Sequence, residues 1–336
     1  MLTYILRRIL WMVPTMLGIT LLLFCIMQLA PGDPASIATA GEQGGMGGGG
    51  SSANTDIESA YEKFRKRYKL DEPLHVQYVN WLGKVVTLDF GNEFFRPNVK
   101  VSDELEKRLG ITVPLSIVSV LLSYLIALPL GMLSAVKRRS FVDKVTTFAL
   151  FVMYSLPTFW AGLMLIILFG QSGLGWLPVV GLHDQDADML GTWDYAWDTI
   201  LHGILPVAVL TYGGLAYLSR QMRSGMLEVV RQDYIRTARA KGLSERVVVF
   251  KHAMRNSLIP VVTIFASILP ILIGGSVIVE KVFNIPGMGL YAYTALVQRD
   301  YPVIMATVTV TSLMTLLGFL LSDILYAVVD PRIKYD

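Results

Sequence analysis

The sequence predicts an all-α polytopic membrane protein with six transmembrane helices, on three observations. Of its 336 residues, 53% are hydrophobic and only 16% are charged, with a mean hydropathy of +0.53, which is too apolar for a soluble chain of this size. The charged residues collect between the apolar runs. Six segments reach the roughly 20 apolar residues that a bilayer crossing needs: 9–30, 111–136, 145–171, 200–219, 256–279 and 302–328.

The first span is expected to be retained. Arg7 and Arg8 precede a run of about 22 mostly apolar residues, which is longer than the roughly 7 to 15 of a secretory signal. The same run holds Cys25, the only cysteine. An intrachain disulfide and a Cys-x-x-Cys metal site are therefore excluded, and Cys25 is expected to behave as a small hydrophobic residue.

Prolines occur inside the first five predicted spans, and two interpretations fit them. They could bend the helices around a cavity, with neighbouring helices or water satisfying the freed carbonyl groups. Alternatively, they could reflect only the higher frequency of proline in membrane helices. The prolines concerned are Pro14, Pro114, Pro129, Pro157, Pro206, Pro260 and Pro270.

The charges of the short loops predict that both termini are cytoplasmic. Loop 137–144 carries four basic residues and one acidic residue, and loop 220–255 carries nine Lys/Arg and three acidic residues. Loop 172–199 has no Lys or Arg and five aspartates. Because short cytoplasmic loops are enriched in Lys and Arg, the first two loops are expected in the cytoplasm and the third outside.

Segment 31–110 is expected to form a small extracytoplasmic domain between the first two spans. Residues 41–55 are Gly-rich and expected to be flexible. Residues 56–70 and 73–90 are predicted to be helical, with Tyr61, Phe64 and Tyr68 at helical spacing. Either a cap or gate on the outer face or a loosely packed spacer is compatible with this pattern.

Sequence motifs for catalysis and metal binding are weak. The run GGMGGGGSS lacks the Lys-Ser/Thr of a phosphate-binding loop, and His75, His183, His202 and His252 are scattered without an HExxH pattern. Ser172, in a Gly-x-Ser-Gly sequence, could be a serine-protease nucleophile with His202 as base, but a helix end and turn explains it better. We therefore predict neither a catalytic residue nor a metal site.

Residues 233–260 are predicted to form a positively charged helical hairpin. Asp233 suits the N-terminus of a first helix over 233–241, and Gly242 can end that helix with a positive φ. Ser244 is a suitable N-cap for a second helix, on which Leu243, Val247, Phe250 and Met254 form an apolar stripe. Ala238 and Ala240, beside Gly242, are expected to leave room for close approach of another surface.

Three partners of this hairpin can be considered. Short helices with an apolar stripe and a small-residue turn favour docking into a groove of another protein. A basic loop that contacts anionic lipid is the simpler alternative. Nucleic acid is disfavoured, since the hairpin lies a few residues from two membrane spans.

The hairpin resembles the cytoplasmic "EAA" loop of bacterial ABC-transporter permeases. Asp233, Ala238, Gly242 and Ile259-Pro260 occupy the pattern's positions, and DYIRTARAKGL resembles the dipeptide/oligopeptide permeases in particular. The Gly-rich 41–55 segment departs from the family pattern. Further similar stretches follow in order along the chain: LRRI with PTMLGITLL, APGDP (30–34), SAVKRRS (134–140), YSLPTFW (154–160), EKVFNIPGMG (280–289), RDYPV (299–303) and DPRIK (330–334).

The resemblance implies one subunit of a binding-protein-dependent importer in the bacterial inner membrane. The family pairs two homologous permeases, each bound through this hairpin to a cytoplasmic ATPase that holds ATP and Mg²⁺, while a substrate-binding protein delivers cargo outside. It implies a first region 1–30, a loop domain 31–110 and a permease core 111–336, with the docking helix at about 234–250. The implied ATPase-coupling residues are Asp233, Tyr234, Arg236, Thr237, Ala238, Ala240, Gly242, Leu243, Val247, Phe250 and Pro260.

Fewer residues are assigned to the outer face and to the transport pathway. The residues expected to face the binding protein or to form a gate are Pro31, Gly32, Asp33, Pro286, Gly287 and Gly289. Polar candidates for the pathway are Ser155, Thr158, Tyr212 and Ser267.

Several functions compete with peptide import. Nickel and glutathione importers share this permease type. An ion-coupled secondary transporter is a different class, for which Asp323 is the only intramembrane carboxylate, and helix packing or anchoring explains Asp323 at least as well as a proton relay. An intramembrane protease based on Ser172 is a third class.

Overall fold

The computed structural model is helical, and it describes residues 2–29, 35–36, 59, 61–184, 186–258, 261, 264 and 268–329. Besides helices, these residues contain an isolated antiparallel bridge between Asn92 and Lys100. The helices used below are α1 (Leu2–Leu29), α2 (Leu74–Val86), α3 (Val101–Val136), α4 (Phe141–Ser155), α5 (Thr158–Phe169), α6 (Thr192–Val229), α7 (Asp233–Ala240), α8 (Glu245–Val247), α9 (Ile268–Gly274), α10 (Val277–Val282), α11 (Met288–Gln298) and α12 (Tyr301–Val329).

Four described helices are long and apolar enough to cross a bilayer, and they coincide with the first, second, fourth and sixth predicted spans. A fifth is obtained if α4 and α5 together form one broken span. The predicted span 256–279 lies partly outside the described residues, so the total of six stays a prediction. The four spanning stretches are Thr3–Leu29, Val101–Val136, Thr192–Val229 and Tyr301–Ile324.

The third predicted span is broken at Pro157. α4 ends at Ser155, Leu156 is extended with ψ 125°, and α5 starts after Pro157 at an angle of 98° to α4. A residue before proline is disfavoured in the helical region, and the proline ring cannot continue the hydrogen-bond ladder. The Tyr212 hydroxyl donates to the Leu156 carbonyl at 3.1 Å, which satisfies a backbone group freed by the break.

The chain divides into two compact units, the larger of which contains Gly110–Leu290 and Met314–Asp336. Within it, α3 and α6 pack closely: a Cβ at Gly131 would lie 2.5 Å from the Ser219 carbonyl oxygen. Ser123 also donates to the Thr211 carbonyl at 3.0 Å. This contact between two long helices therefore requires glycine at position 131.

The smaller unit contains Leu2–Leu109 and Tyr291–Leu313. The two helices predicted in the 56–90 region are present, at 61–67 and 74–86. Phe64 and Tyr68 pack against Phe94, with ring centroids 5.3 and 4.4 Å apart. The Asp300 carboxylate accepts a hydrogen bond from the Phe94 amide at 2.8 Å, so this unit has its own aromatic core and a buried carboxylate anchor.

Candidate functional site

The predicted hairpin is present, and its first helix ends in a Schellman motif. α7 runs from Asp233 to Ala240, and Gly242 follows with φ +79°. The Gly242 amide donates to the Arg239 carbonyl at 2.9 Å, and the Leu243 amide donates to the Ala238 carbonyl at 3.4 Å. These two bonds satisfy carbonyl groups that the helix end leaves open, and the left-handed conformation explains the glycine.

An exposed ion pair closes the hairpin across its turn. The Arg239 guanidinium donates to both carboxylate oxygens of Glu245, at 2.6 and 3.0 Å. This bidentate contact lowers the pKa of Glu245 below its ordinary value. Neither residue was selected from the sequence, because a contact between residues six apart across a turn has no helical spacing to indicate it.

The second arm of the hairpin contains a π-helical stretch. α8 is followed by six π-helical residues, Val248–Ala253, and then by a short α-helix, Met254–Ser257. Because a π-helix bonds residue i to i+5, Val248 and Ala253 fall on one face, and both are buried. The predicted regular stripe is correspondingly altered: Met254 is partly buried, whereas Leu243, Val247 and Phe250 remain exposed.

The inner face of the hairpin is packed into the core of the larger unit. Ile235 on the first arm and Val248, Val249 and Ala253 on the second pack with side chains from α3 and α6, Met132, Ala135, Met222 and Met226. Gly225 on α6 allows the close approach, since a Cβ there would lie 2.8 Å from the Ser257 carbonyl oxygen. The hairpin is therefore a fixed part of this unit rather than a loose loop.

Ala238 does not lie where the sequence placed it. We expected it to leave the turn open with Ala240, but Ala238 is buried in the core and only Ala240 is exposed. Ala238 lies three residues after Ile235, so both fall on the inner face of α7. Its small side chain serves the packing of the hairpin onto the helices beneath it.

The outer face of the hairpin combines apolar and basic side chains. Leu243, Val247 and Phe250 are 39, 38 and 52% exposed. Tyr234 is exposed, and its hydroxyl accepts a hydrogen bond from Asn256 at 2.7 Å. The hairpin also carries exposed cations, among them Arg236, Lys241, Arg246, Lys251 and Arg255.

The remaining predicted coupling residues are distributed as follows. Asp233 is exposed in the first turn of α7, 3.4 Å from the Arg236 guanidinium. Thr237 is exposed and donates to the Asp233 carbonyl at 3.0 Å. Pro260 lies outside the described residues.

A buried aspartate fixes the basic loop 137–144 to α6. Asp143 accepts from the Arg139 amide at 2.8 Å, from the Arg223 guanidinium at 3.1 Å and from the Ser134 hydroxyl. Ser140 caps α4 by accepting from the Asp143 amide at 3.3 Å. Sequence reasoning counted Asp143 and Arg223 only as loop charges, although an aspartate inside an otherwise basic loop was a usable signal.

The turn at 286–289 encloses a buried carboxylate. Glu280 accepts from the Leu290 amide at 2.7 Å and from Thr112 at 3.2 Å. A Cβ at Gly287 would lie 2.6 Å from the Glu280 carboxylate, and one at Gly289 would lie 2.7 Å from the Val277 amide nitrogen. Both glycines are buried and serve packing, and Pro286 is half-buried. Pro31, Gly32 and Asp33 lie outside the described residues.

A cavity of about 280 Å³ lies between α3, α6 and α9, and its lining is mainly apolar. Ser116, Ser119 and Ser123 follow one face of α3, and Tyr124 and Tyr217 lie in the same lining. Of the pathway candidates from the sequence, the Ser155 hydroxyl donates to the Phe151 carbonyl of the same helix, and the Tyr212 hydroxyl donates to the Leu156 carbonyl at the break between α4 and α5. Thr158 is half-buried, and Ser267 lies outside the described residues.

Ser172 lies in the turn that the sequence favoured over a protease site. Residues 171–174 form this turn, with the Gly173 amide bonded to the Gly170 carbonyl at 3.0 Å. The ring of His202 faces Asp198 and Asp184 instead of a serine.

Comparison with known families assigns this helical membrane protein to a class. Residues 127–335 match the family described as "binding-protein-dependent transport system inner membrane component", and residues 1–98 match the N-terminal model of the same kind of component. The chain therefore belongs to the family of binding-protein-dependent transport system inner membrane components, in its peptide permease branch. It is a multi-pass protein of the inner membrane.

Relatives extend over the whole chain. It is 44% identical to the oligopeptide transport system permease protein AppB of Bacillus subtilis, over 336 residues and 100% of both chains. It is 37% identical to the dipeptide transport system permease protein DppB of Alkalihalophilus pseudofirmus, again over 100% of both. These comparisons confirm the resemblance drawn from the motifs.

A solved structure supports the fold. The chain is similar to an inward-facing structure of the MetNI methionine ABC transporter, with a TM-score of 0.52 and 19% identity. The similarity covers 67% of this chain and 96% of the other. At that identity the similarity shows the fold alone.

Proposed function

We propose that this chain is a membrane-spanning permease subunit of an ATP-driven importer for di- and oligopeptides, coupled to a cytoplasmic ATPase through the hairpin 233–260. One observation carries the coupling assignment: the hairpin is packed rigidly on its inner face, yet it presents Leu243, Val247 and Phe250 outward among cations. Large exposed apolar residues rimmed by charge are typical of a protein-binding surface. The peptide cargo is inferred from the similarity to oligopeptide and dipeptide permeases.

The proposed assembly follows the family pattern. Six helices cross the membrane, both termini are cytoplasmic and segment 31–110 lies outside. The partners are a second homologous permease, two ATPases that hold ATP and Mg²⁺, and an extracytoplasmic binding protein. We assign no catalytic residue to this chain. The mainly apolar cavity between α3, α6 and α9, to which Ser116, Ser119 and Ser123 contribute, is the proposed contribution to the pathway.

Movement of the ATPases would act on the membrane helices through packing. The hairpin shares a core with the ends of α3 and α6, and Asp143 ties loop 137–144 to α6. A push on the outer face of the hairpin therefore displaces these elements together. Rigid-body rocking of this kind is a known way to alternate access to a central site.

Peptide uptake with a charged substitution tests the proposal. Labelled di- and oligopeptide uptake is measured in a strain lacking the gene, complemented with wild type, Phe250→Asp or Leu174→Asp. Phe250 and Leu174 are apolar and 52 and 46% exposed; Phe250 lies in the π-helical stretch of the hairpin and Leu174 in the turn 171–174. We expect Phe250→Asp to abolish uptake and to reduce co-purification of the ATPase, because a charge enters an apolar contact. Leu174→Asp is expected to retain both.

The outcomes separate cargo from coupling. Uptake that survives Phe250→Asp would refute the coupling assignment. If the wild type restores no peptide uptake while it still co-purifies with an ATPase, the cargo assignment is wrong. Nickel and glutathione uptake would then be measured in the same strains.

A further inference from the structure

The loop before α6 brings together two histidines and two aspartates that are scattered in the sequence. One ligand atom from each of Asp184, Asp198 and His202 lies within 4.8 Å of the other two. His183 borders the group, with its Nδ1 3.6 Å from Asp198 Oδ2. The four histidines of the sequence gave no indication of a cluster, because His183 and His202 meet only when the loop folds back on α6.

The hydrogen bonds of His202 define which ring nitrogen can bind a ligand. Its side chain is 2% exposed, and Nδ1 lies 3.0 Å from the carbonyl oxygen and 3.2 Å from Oδ1 of Asp198. The carbonyl oxygen only accepts, so Nδ1 donates its proton to it. A backbone carbonyl that holds Nδ1–H is a common way to direct the Nε2 lone pair toward a metal ion.

The Nε2 atom faces a second acceptor. It lies 3.6 Å from Asp184 Oδ1, beyond hydrogen-bond distance. With bonds of about 2.0 to 2.2 Å to nitrogen and oxygen, two ligands of one tetrahedral zinc ion lie roughly 3.4 Å apart. The separation therefore suits a cation held between the two atoms better than a direct hydrogen bond.

Neighbouring residues hold Asp198 and His183 in place. Asp198 Oδ2 accepts from the Asp184 amide at 3.1 Å, which fixes the loop against α6. His183 is itself held by Tyr195 at 2.8 Å and by Thr199 at 3.1 Å. Loop 172–199 contains five aspartates and neither Lys nor Arg, so a divalent cation would offset a concentrated negative charge.

We propose that Asp184, Asp198 and His202 form a binding site for a divalent transition-metal ion of the zinc type. One imidazole and two carboxylates are a ligand set that such ions accept, with a further position left for water. Asp184 is 75% exposed and can adjust to the ion, whereas His202 and Asp198 are fixed. His183 acts as a positioning residue for Asp198.

Metal binding by the purified full chain tests this site. The protein is stripped with chelator, and Zn²⁺ uptake is measured by equilibrium dialysis with elemental analysis; a Co²⁺ titration is followed by visible absorption. The variants are Asp184→Asn and, as a matched control, Asp186→Asn, which removes an equal charge two residues away. Both aspartates are exposed, so both variants are expected to fold.

The proposal expects one Zn²⁺ per wild-type chain, with an affinity at least about tenfold weaker in Asp184→Asn and unchanged in Asp186→Asn. Zn²⁺ should also raise the melting temperature of the wild type and of Asp186→Asn, because a ligand that binds only the folded state stabilises it. Stripped wild type that takes up no Zn²⁺, or equal binding by wild type and Asp184→Asn, would overturn the site.

Discussion

Replacing Gly242 by alanine and by arginine separates two contributions of the hairpin turn. Gly242 has φ +79°, and a Cβ at this position would meet no atom within 4 Å. Alanine therefore adds backbone strain alone, about 1 to 2 kcal/mol for an L-residue in the left-handed region. Arginine adds the same strain and also places a long charged side chain on the outer face of the hairpin.

The two variants are expected to differ in transport but not in stability. Both should lower the melting temperature in detergent by similar amounts. If the outer face docks onto an ATPase, an unpaired charge enters that contact and costs about 3 kcal/mol, or roughly a hundredfold in affinity. Peptide uptake and ATPase co-purification should therefore be nearly normal in Gly242→Ala and lost in Gly242→Arg.

Two results would refute this reasoning. Normal uptake by Gly242→Arg would mean that no partner covers the turn. Loss of uptake in Gly242→Ala equal to that in Gly242→Arg would show that the turn conformation, and not its surface, is what transport requires. Gly242→Asn, which tolerates the left-handed region better than alanine, should then recover part of the activity.

Three further substitutions test buried contacts outside the hairpin. Asp143→Asn should lower the unfolding free energy by about 2 kcal/mol, because a charged hydrogen-bond acceptor is lost. An unchanged melting temperature would contradict the role of Asp143 in fixing loop 137–144 to α6. Burial raises the pKa of Asp300 from 3.8 to about 6. The stability that protonated Asp300 contributes is therefore present at pH 4 and is lost as the pH rises through 6. In melting curves, Asp300→Asn should be more stable than wild type at pH 7.5 and similar to it at pH 4. Gly287→Ala should reduce the amount of folded protein, since its Cβ would lie 2.5 Å from the buried carboxyl carbon of Glu280. Gly110→Ala, which has open space around it, should not. Equal effects of the two variants in detergent-exchange chromatography would argue against the close packing at Gly287.

Features that depend on local sequence could be predicted. Long apolar runs placed α1, α3, α6 and α12, because the bilayer requirement is set by length and composition. The hairpin turn was also predictable, since a glycine after a short helix with an acidic first turn favours a left-handed end. Pro157 sits where the helix breaks, and the extended conformation of the preceding residue follows from steric exclusion.

Features that depend on tertiary contacts could not be predicted from one sequence. Ala238 faces inward because helices α3 and α6 lie beneath the hairpin, and its size alone did not indicate that direction. Glu280 is enclosed by the turn that follows it, so its two neighbouring glycines looked like loop residues. His202 approaches Asp184 across 17 intervening residues that include the start of α6, a separation without any regular period.

Helix α6 connects the proposed metal site to the hairpin. It is continuous for 38 residues from Thr192 to Val229, about 57 Å at 1.5 Å per residue. Its first turns carry Asp198 and His202, and its last turns carry Met222 and Met226, on which the hairpin is packed. A metal ion bound at the first end would fix the acidic loop to the same helix that the hairpin is proposed to displace. Loss of that ion should then loosen the acidic loop without changing ATPase attachment, whereas damage to the hairpin should do the reverse.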